Sequence, residues 1–159
     1  MFSIVIELPS SELGPKPEIH IWGRSSVRRD GKLRHVDRAG HPSISSFFNT
    51  DDTKEEYNAS EPVTDRKRWL DQFVHLMGHT GDYMCEEAIA AIDKERTLPD
   101  VLSFDPSKPA KYPNGRVFTD DVINYRVVRD EKPMSAHRLS PHTDILKEFP
   151  YIETPRPKN

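Results

Sequence analysis

Two changes of period divide the chain. Residues 2–9, FSIVIELP, are a β-branched apolar run closed by Pro9, the pattern of a buried strand. Residues 10–17 read as a turn or a single helical turn, ended by Gly14 and two prolines. Residues 18–27 then alternate. Ile19 and Ile21 share one face, and His20 and Trp22 share the other. Asp30-Gly31 is a hairpin-turn dipeptide, because both residues tolerate positive φ, and 32–38 is the returning strand of an antiparallel pair. Residues 39–49 continue as a loop with a short extended or helical piece. Residues 50–63 hold almost no apolar side chain and read as a mobile polar loop.

From Thr64 the period becomes helical. Trp69, Leu70, Phe73, Val74 and Met77 form one stripe, with Thr64 as cap and Gly78 and Gly81 at the end. A second helix follows, capped by Asp82, with Cys85, Ala88, Ile89 and Ile92 on its buried face and Pro99 beyond its end. The short link makes the two a helical hairpin. Residues 100–115 are proline-rich and irregular. In 112–127, Asn114-Gly115 makes a turn and Thr119 caps a third helix. Asp120 and Asp121 then fall at its positive end, and Phe118 packs on Ile123. A short helix or turn and an extended, proline-spaced tail close the chain. These elements predict an α+β fold: an antiparallel sheet, as in part of a β-sandwich, packed against a helical hairpin, with one more capped helix and an extended tail. At 159 residues the whole chain, 1–159, is expected to be a single domain.

Composition narrows the function. Hydrophobic residues are 35% and charged residues 31%, so the core is thin or is completed by another chain or segment. Fourteen prolines outnumber seven glycines, which favours irregular segments. The net charge of −3 argues against nucleic acid as a partner, because phosphate binding needs a clustered positive field. The basic stretch 24–38 is interrupted by aspartates and reads as hairpin surface. One cysteine allows neither an internal disulfide nor a cysteine zinc site, and Cys85 is expected to be a buried hydrophobe. No apolar stretch is long enough to cross a membrane as a helix, and no secretion signal is present in the chain as written.

The candidate chemistry is sparse. Asp37 and His41 flank Arg38 and Gly40 in VDRAGHP, where an aspartate beside a histidine could orient a base. Ser43 and Ser45 are the nearest hydroxyls. Against this stands an Asp37–Arg38 pair locking a strand end, with Gly40 and Pro42 shaping the turn. Asp120 and Asp121, with Asn114 as a further oxygen ligand and Arg116 close by, could hold a cation. In the competing reading, each of Asn114, Gly115, Arg116, Thr119, Asp120 and Asp121 serves the turn and the helix start. His75 and His79 have metal-binding spacing, but no glutamate lies between them, and both point away from the apolar stripe. Trp22, Phe149 and Tyr151 are candidates for an aromatic surface, with core or docking roles as the default. No phosphate loop, dinucleotide fingerprint or zinc motif is present, and no catalytic residue or cofactor follows from these patterns.

Several blocks together carry a resemblance. LPDVLSFDPSKPAKYPNGRVFTDDVINYRV, FSIVIELPSSELG, EIHIWGRSS followed by HVDRAGHPSISSFF, and EFPYIETPRP occur in an order similar to the C-terminal part of the bacterial family known as domain of unknown function 4331. The resemblance departs at His35, Ala39 and His41. It implies an extracytoplasmic setting, no assigned activity, and an upstream half that this chain lacks. It therefore implies a non-catalytic binding or structural module whose partner is that upstream segment or another copy of itself. A metal-binding protein or metal-dependent enzyme using Asp37, His41, Asp120 and Asp121 is the alternative.

Overall fold

The computed structural model describes residues 4–16, 18–122 and 145–153. Among the described residues the architecture is α+β, with four α-helices and two small antiparallel sheets. The chain divides into two compact units where a single domain is expected: His20–Phe104, and Met1–Ile19 with Asp105–Asn159.

The larger unit carries the hairpin and the helices. Strand β1 (Ile19–Ile21) pairs with β4 (Leu102–Phe104), and β2 (Gly23–Arg29) pairs with β3 (Lys32–Ala39). The expected strand over 18–27 is thus two strands in two sheets. Asp30 and Gly31 have φ of 51° and 74°, so the two-residue turn has the positive φ that matches strand twist. The register runs from Arg29↔Lys32 to Gly23↔Ala39, with an irregularity at Ser25/Ser26. One face of the pair carries Arg38, His35 and Leu33 with Arg24, Ser26 and Arg28. The other carries Val27, Arg29, Lys32 and Arg34.

Helix α1 (Ile44–Phe48) leads into α2 (Asp51–Ala59). The polar segment expected as a mobile loop is therefore a helix. Asp51 and Asp52 sit in its first turn, Lys54, Glu55 and Glu56 are good helix formers, and one residue, Tyr57, anchors it by complete burial. A single anchor on a nine-residue helix leaves too little apolar periodicity to read from sequence.

Helix α3 (Asp65–Gly81) and helix α4 (Cys85–Lys94) pack on each other. Their caps differ from expectation. The Thr64 hydroxyl donates to the Glu61 carbonyl and does not cap α3. Asp82 has left-handed φ and ends α3, so α4 starts at Cys85, and Glu87 accepts the Met84 backbone N–H. That later start leaves Cys85 at the open end of α4, where it is exposed rather than buried. The core is built from Ile44, Tyr57, Trp69, Phe73, Ile92 and Leu98, with Phe48, Leu70, Val74 and Met77 against it. Phe48 stacks on Phe73 at 4.4 Å, and Tyr57 meets Trp69 edge-on at 5.4 Å. No described helix is long and apolar enough to cross a membrane.

The smaller unit is mostly irregular among its described residues. Residues 4–9 form no strand, and Ile4 and Ile6 are 91% and 75% exposed, against the expected buried strand. A 3-10 turn covers Ser10–Leu13. Ile145 bridges Ile152, and the Tyr151 hydroxyl meets the Glu7 carboxylate. The expected third helix lies largely outside the described residues. Helical backbone appears at Val122, after a turn over 117–120, so Thr119 is part of that turn rather than an N-cap followed by Asp120.

Candidate functional site

The strongest concentration of buried chemistry lies where the end of β3 meets α2, the start of α3 and the segment before β4. Arg38 is the β3 residue turned inward next to Gly40, and its side chain is fully buried. Its Nη1 lies 2.8 Å from Asp65 Oδ1, which is also fully buried. The N–H directions are poor for a linear hydrogen bond, and the guanidinium donors have no better-aligned acceptor among the described residues. The guanidinium carbon lies 3.9 Å from the centre of the Tyr57 ring.

Asp100 joins the other members. Its Oδ1 accepts the His41 backbone N–H at 2.6 Å, and its Oδ2 accepts the Tyr57 hydroxyl at 2.9 Å. Its own N–H donates to Asp65 Oδ2 at 2.8 Å. His41 Nε2 lies 2.9 Å from the Arg96 carbonyl, which requires that nitrogen to carry the proton. Gly40 lets the β3 end press against the Asp100 backbone, where an added Cβ would lie 2.0 Å from its carbonyl oxygen.

Two buried carboxylates thus face one buried guanidinium. Burial pushes both Asp65 and Asp100 upward from the usual carboxylate range. Arg38, together with the N–H donated to each, offsets this in part, and burial also raises the Tyr57 phenol. A carboxyl raised by folding carries no penalty below its unfolded value, and costs stability as pH rises through its folded value. The stability margin of the native chain over Asp100→Asn should therefore widen on acidification from neutral pH down to the unfolded carboxylate value of about 4. Urea unfolding of both chains across that range measures it. A margin that is constant or narrows with acid would show that Asp100 carries no raised carboxyl.

The residues singled out from sequence separate into local roles. Asp37 is exposed, its carboxylate accepts the Arg38 backbone N–H at 2.9 Å, and its carbonyl receives His35 Nε2. Among the described residues no hydrogen bond joins Asp37 to His41, which bonds to Asp100 and Arg96 instead. Arg38 pairs with Asp65, not with the side chain of Asp37, because strand alternation turns it to the opposite face. Pro42 is half-buried, Ser43 sits at left-handed φ before α1, and the Ser45 hydroxyl donates to Asn58 Oδ1 at 2.7 Å.

Asp37 and His41 belong to the larger unit, and Asp120 and Asp121 to the smaller. Asp120 Oδ2 accepts the N–H groups of Tyr112 and Val117 at 3.0 and 2.9 Å. Asn114 accepts the Asp105 N–H at 2.7 Å and directs its amide at the carbonyls of Asp105 and Pro109. Gly115 has φ of 68°, Arg116 lines an open recess with Val117 and Phe118, and Thr119 and Asp121 are exposed. Lys108 beside Asp105 and the Ser107 donors lower that carboxyl to about 2. Asn114 and Asp120 thus stitch two turns of backbone. Among the described residues no group of three or more His, Cys, Asp or Glu is placed to hold a metal. His75 and His79 are exposed and stack at 6.3 Å. Trp22 lies 5.9 Å from His35, whereas Phe149 and Tyr151 pair with each other in the smaller unit.

Tyr57, Asp65 and Asp100 are the members the sequence reading missed. The available signals were faint: a lone aromatic in a polar segment, an aspartate at the start of α3, and an aspartate in the irregular segment before β4. The chain matches no family model, no curated protein and no solved structure.

Proposed function

We propose that this chain is a non-catalytic binding or structural module, of the bacterial extracytoplasmic kind that its resemblance implies. One observation carries the reading: His41, the candidate base, is buried and holds Asp100 and the Arg96 carbonyl, with Asp37 outside its hydrogen bonds. A general base must reach a substrate proton, and a side chain engaged with the fold's own carbonyl is poorly placed to do so. Asn114 and Asp120 support the same reading, because their oxygens hold backbone N–H groups rather than an open coordination site.

Thermal unfolding with excess calcium, magnesium or zinc, each followed by chelation, tests it. A metal bound at a hundred times its Kd would add about 2.7 kcal/mol of stability. No such shift is expected. A saturable rise in Tm that is abolished by Asp37→Asn or Asp120→Asn would overturn the proposal in favour of metal binding.

A further inference from the structure

We propose that the outer edge of β2 is a docking site for an extended acidic peptide segment, which adds to the hairpin as a third strand; this rests on the binding-module reading above. Among the described residues the β2–β3 sheet has two strands, and all seven residues of β2 are exposed. β3 satisfies one edge of β2, so alternate backbone N–H and C=O groups on the other edge face outward, ready to pair with a further strand.

Charge selects the occupant. β2 itself contributes Arg24, Arg28 and Arg29. Arg29 lies directly opposite Lys32, and Arg34 is its diagonal neighbour on the same face around Val27. Like charges placed opposite one another destabilise a strand pair, and an arriving carboxylate relieves them. The local compensation is slight: Asp30 is 3.8 Å from Arg34, and both are well exposed, while Glu61 pairs with Arg24 at the far end of the strand. A second copy fits badly, because antiparallel pairing of two β2 strands about Ser26 sets Arg24 against Arg28 of its mate twice over. Nucleic acid would use the cations but not the free backbone edge. Ser25 and Ser26 leave the middle of the strand uncrowded, so the partner's side chains meet no bulk there.

The test is fluorescence anisotropy with a labelled eight-residue peptide that alternates glutamate and valine, titrated with the full chain at low salt. Saturable binding is expected, and it should weaken as salt rises. The double variant Arg28→Glu with Arg29→Glu should weaken it by at least about tenfold, with circular dichroism confirming that the variant is folded. Two peptide variants need no change to the protein. Lysine in place of glutamate should abolish binding, and N-methylation of alternate amides should weaken it by about tenfold, because it removes strand pairing while keeping charge. No binding of the glutamate peptide overturns the inference. So does equal binding of the N-methylated peptide, which would make the surface a charge patch only, or tighter binding of a single-stranded oligonucleotide. A chain that neither responds to metals nor binds the peptide overturns this inference alone. A metal-dependent rise in Tm overturns the parent reading whatever the peptide does.

Discussion

Replacing Arg38 by methionine should destabilise the chain by about 3–5 kcal/mol, the largest effect expected of any single charge change here. Methionine approximates the volume of the arginine stem, so little of the loss arises from a cavity. It comes from Asp65, whose fully buried carboxylate would face Asp100 with only the partly exposed Arg68, already paired with Glu56, as a cation. The contact of the guanidinium with the Tyr57 ring would also go. Urea unfolding followed by the fluorescence of Trp22 and Trp69 reads the change. The double variant Arg38→Met with Asp65→Asn should recover part of the loss. The asparagine carbonyl still accepts the Asp100 N–H, and the unpaired charge is gone. A loss below about 1 kcal/mol for Arg38→Met would show that the pair does not hold β3 to the helices.

Gly40→Ala should cost at least about 3 kcal/mol, for a reason unrelated to glycine's backbone freedom. The new Cβ would sit 2.0 Å from the Asp100 carbonyl oxygen, 2.4 Å from its carbonyl carbon and 2.8 Å from its Oδ1. Backbone atoms cannot swing aside as the tip of a long side chain can. The β3 end would have to lift, which would stretch the 2.6 Å bond from the His41 N–H to Asp100 and separate Arg38 from Asp65. Gly23→Ala is the control, because its Cβ would make an ordinary 3.7 Å contact with the Ala39 carbonyl; it should be neutral or slightly stabilising. Thermal unfolding of the two variants side by side gives the comparison. Equal Tm values would mean that β3 does not press on Asp100 as described.

Together these two changes probe one joint. The β2–β3 hairpin has no core of its own: β2 is exposed throughout, and of β3 only Arg38 is buried. It is fixed to the rest of the unit by Arg38, with Gly40 and His41 just beyond the strand, and by the pairs of Arg24 and His35 with Glu61. The residues of β2 nonetheless stay exposed, so a partner can reach the proposed docking edge.

The sequence by itself determined whatever depends on local period and local turn chemistry. Asp30-Gly31 specified the hairpin turn because both residues accept positive φ. Trp69 and Phe73, four positions apart, put the buried stripe of α3 on one face. In the smaller unit Gly115 takes positive φ, but the turn is centred on Tyr112 and Pro113, with Asn114 at its closing bridge. Tertiary structure alone decided the rest, because the deciding partners are far apart along the chain. Arg38 meets Asp65, and Asp100 meets His41 and Tyr57, across separations that no periodicity encodes. For the same reason Asp37, the neighbour that sequence offered to Arg38, points to the opposite face of the strand. The polar helix α2 was hidden because one buried tyrosine is enough to anchor it, and Cys85 came out exposed because Asp82 closed α3 and moved the start of α4. Burial then set the electrostatics: removal from water raises both aspartates, and the charge of Asp65 raises Asp100 further.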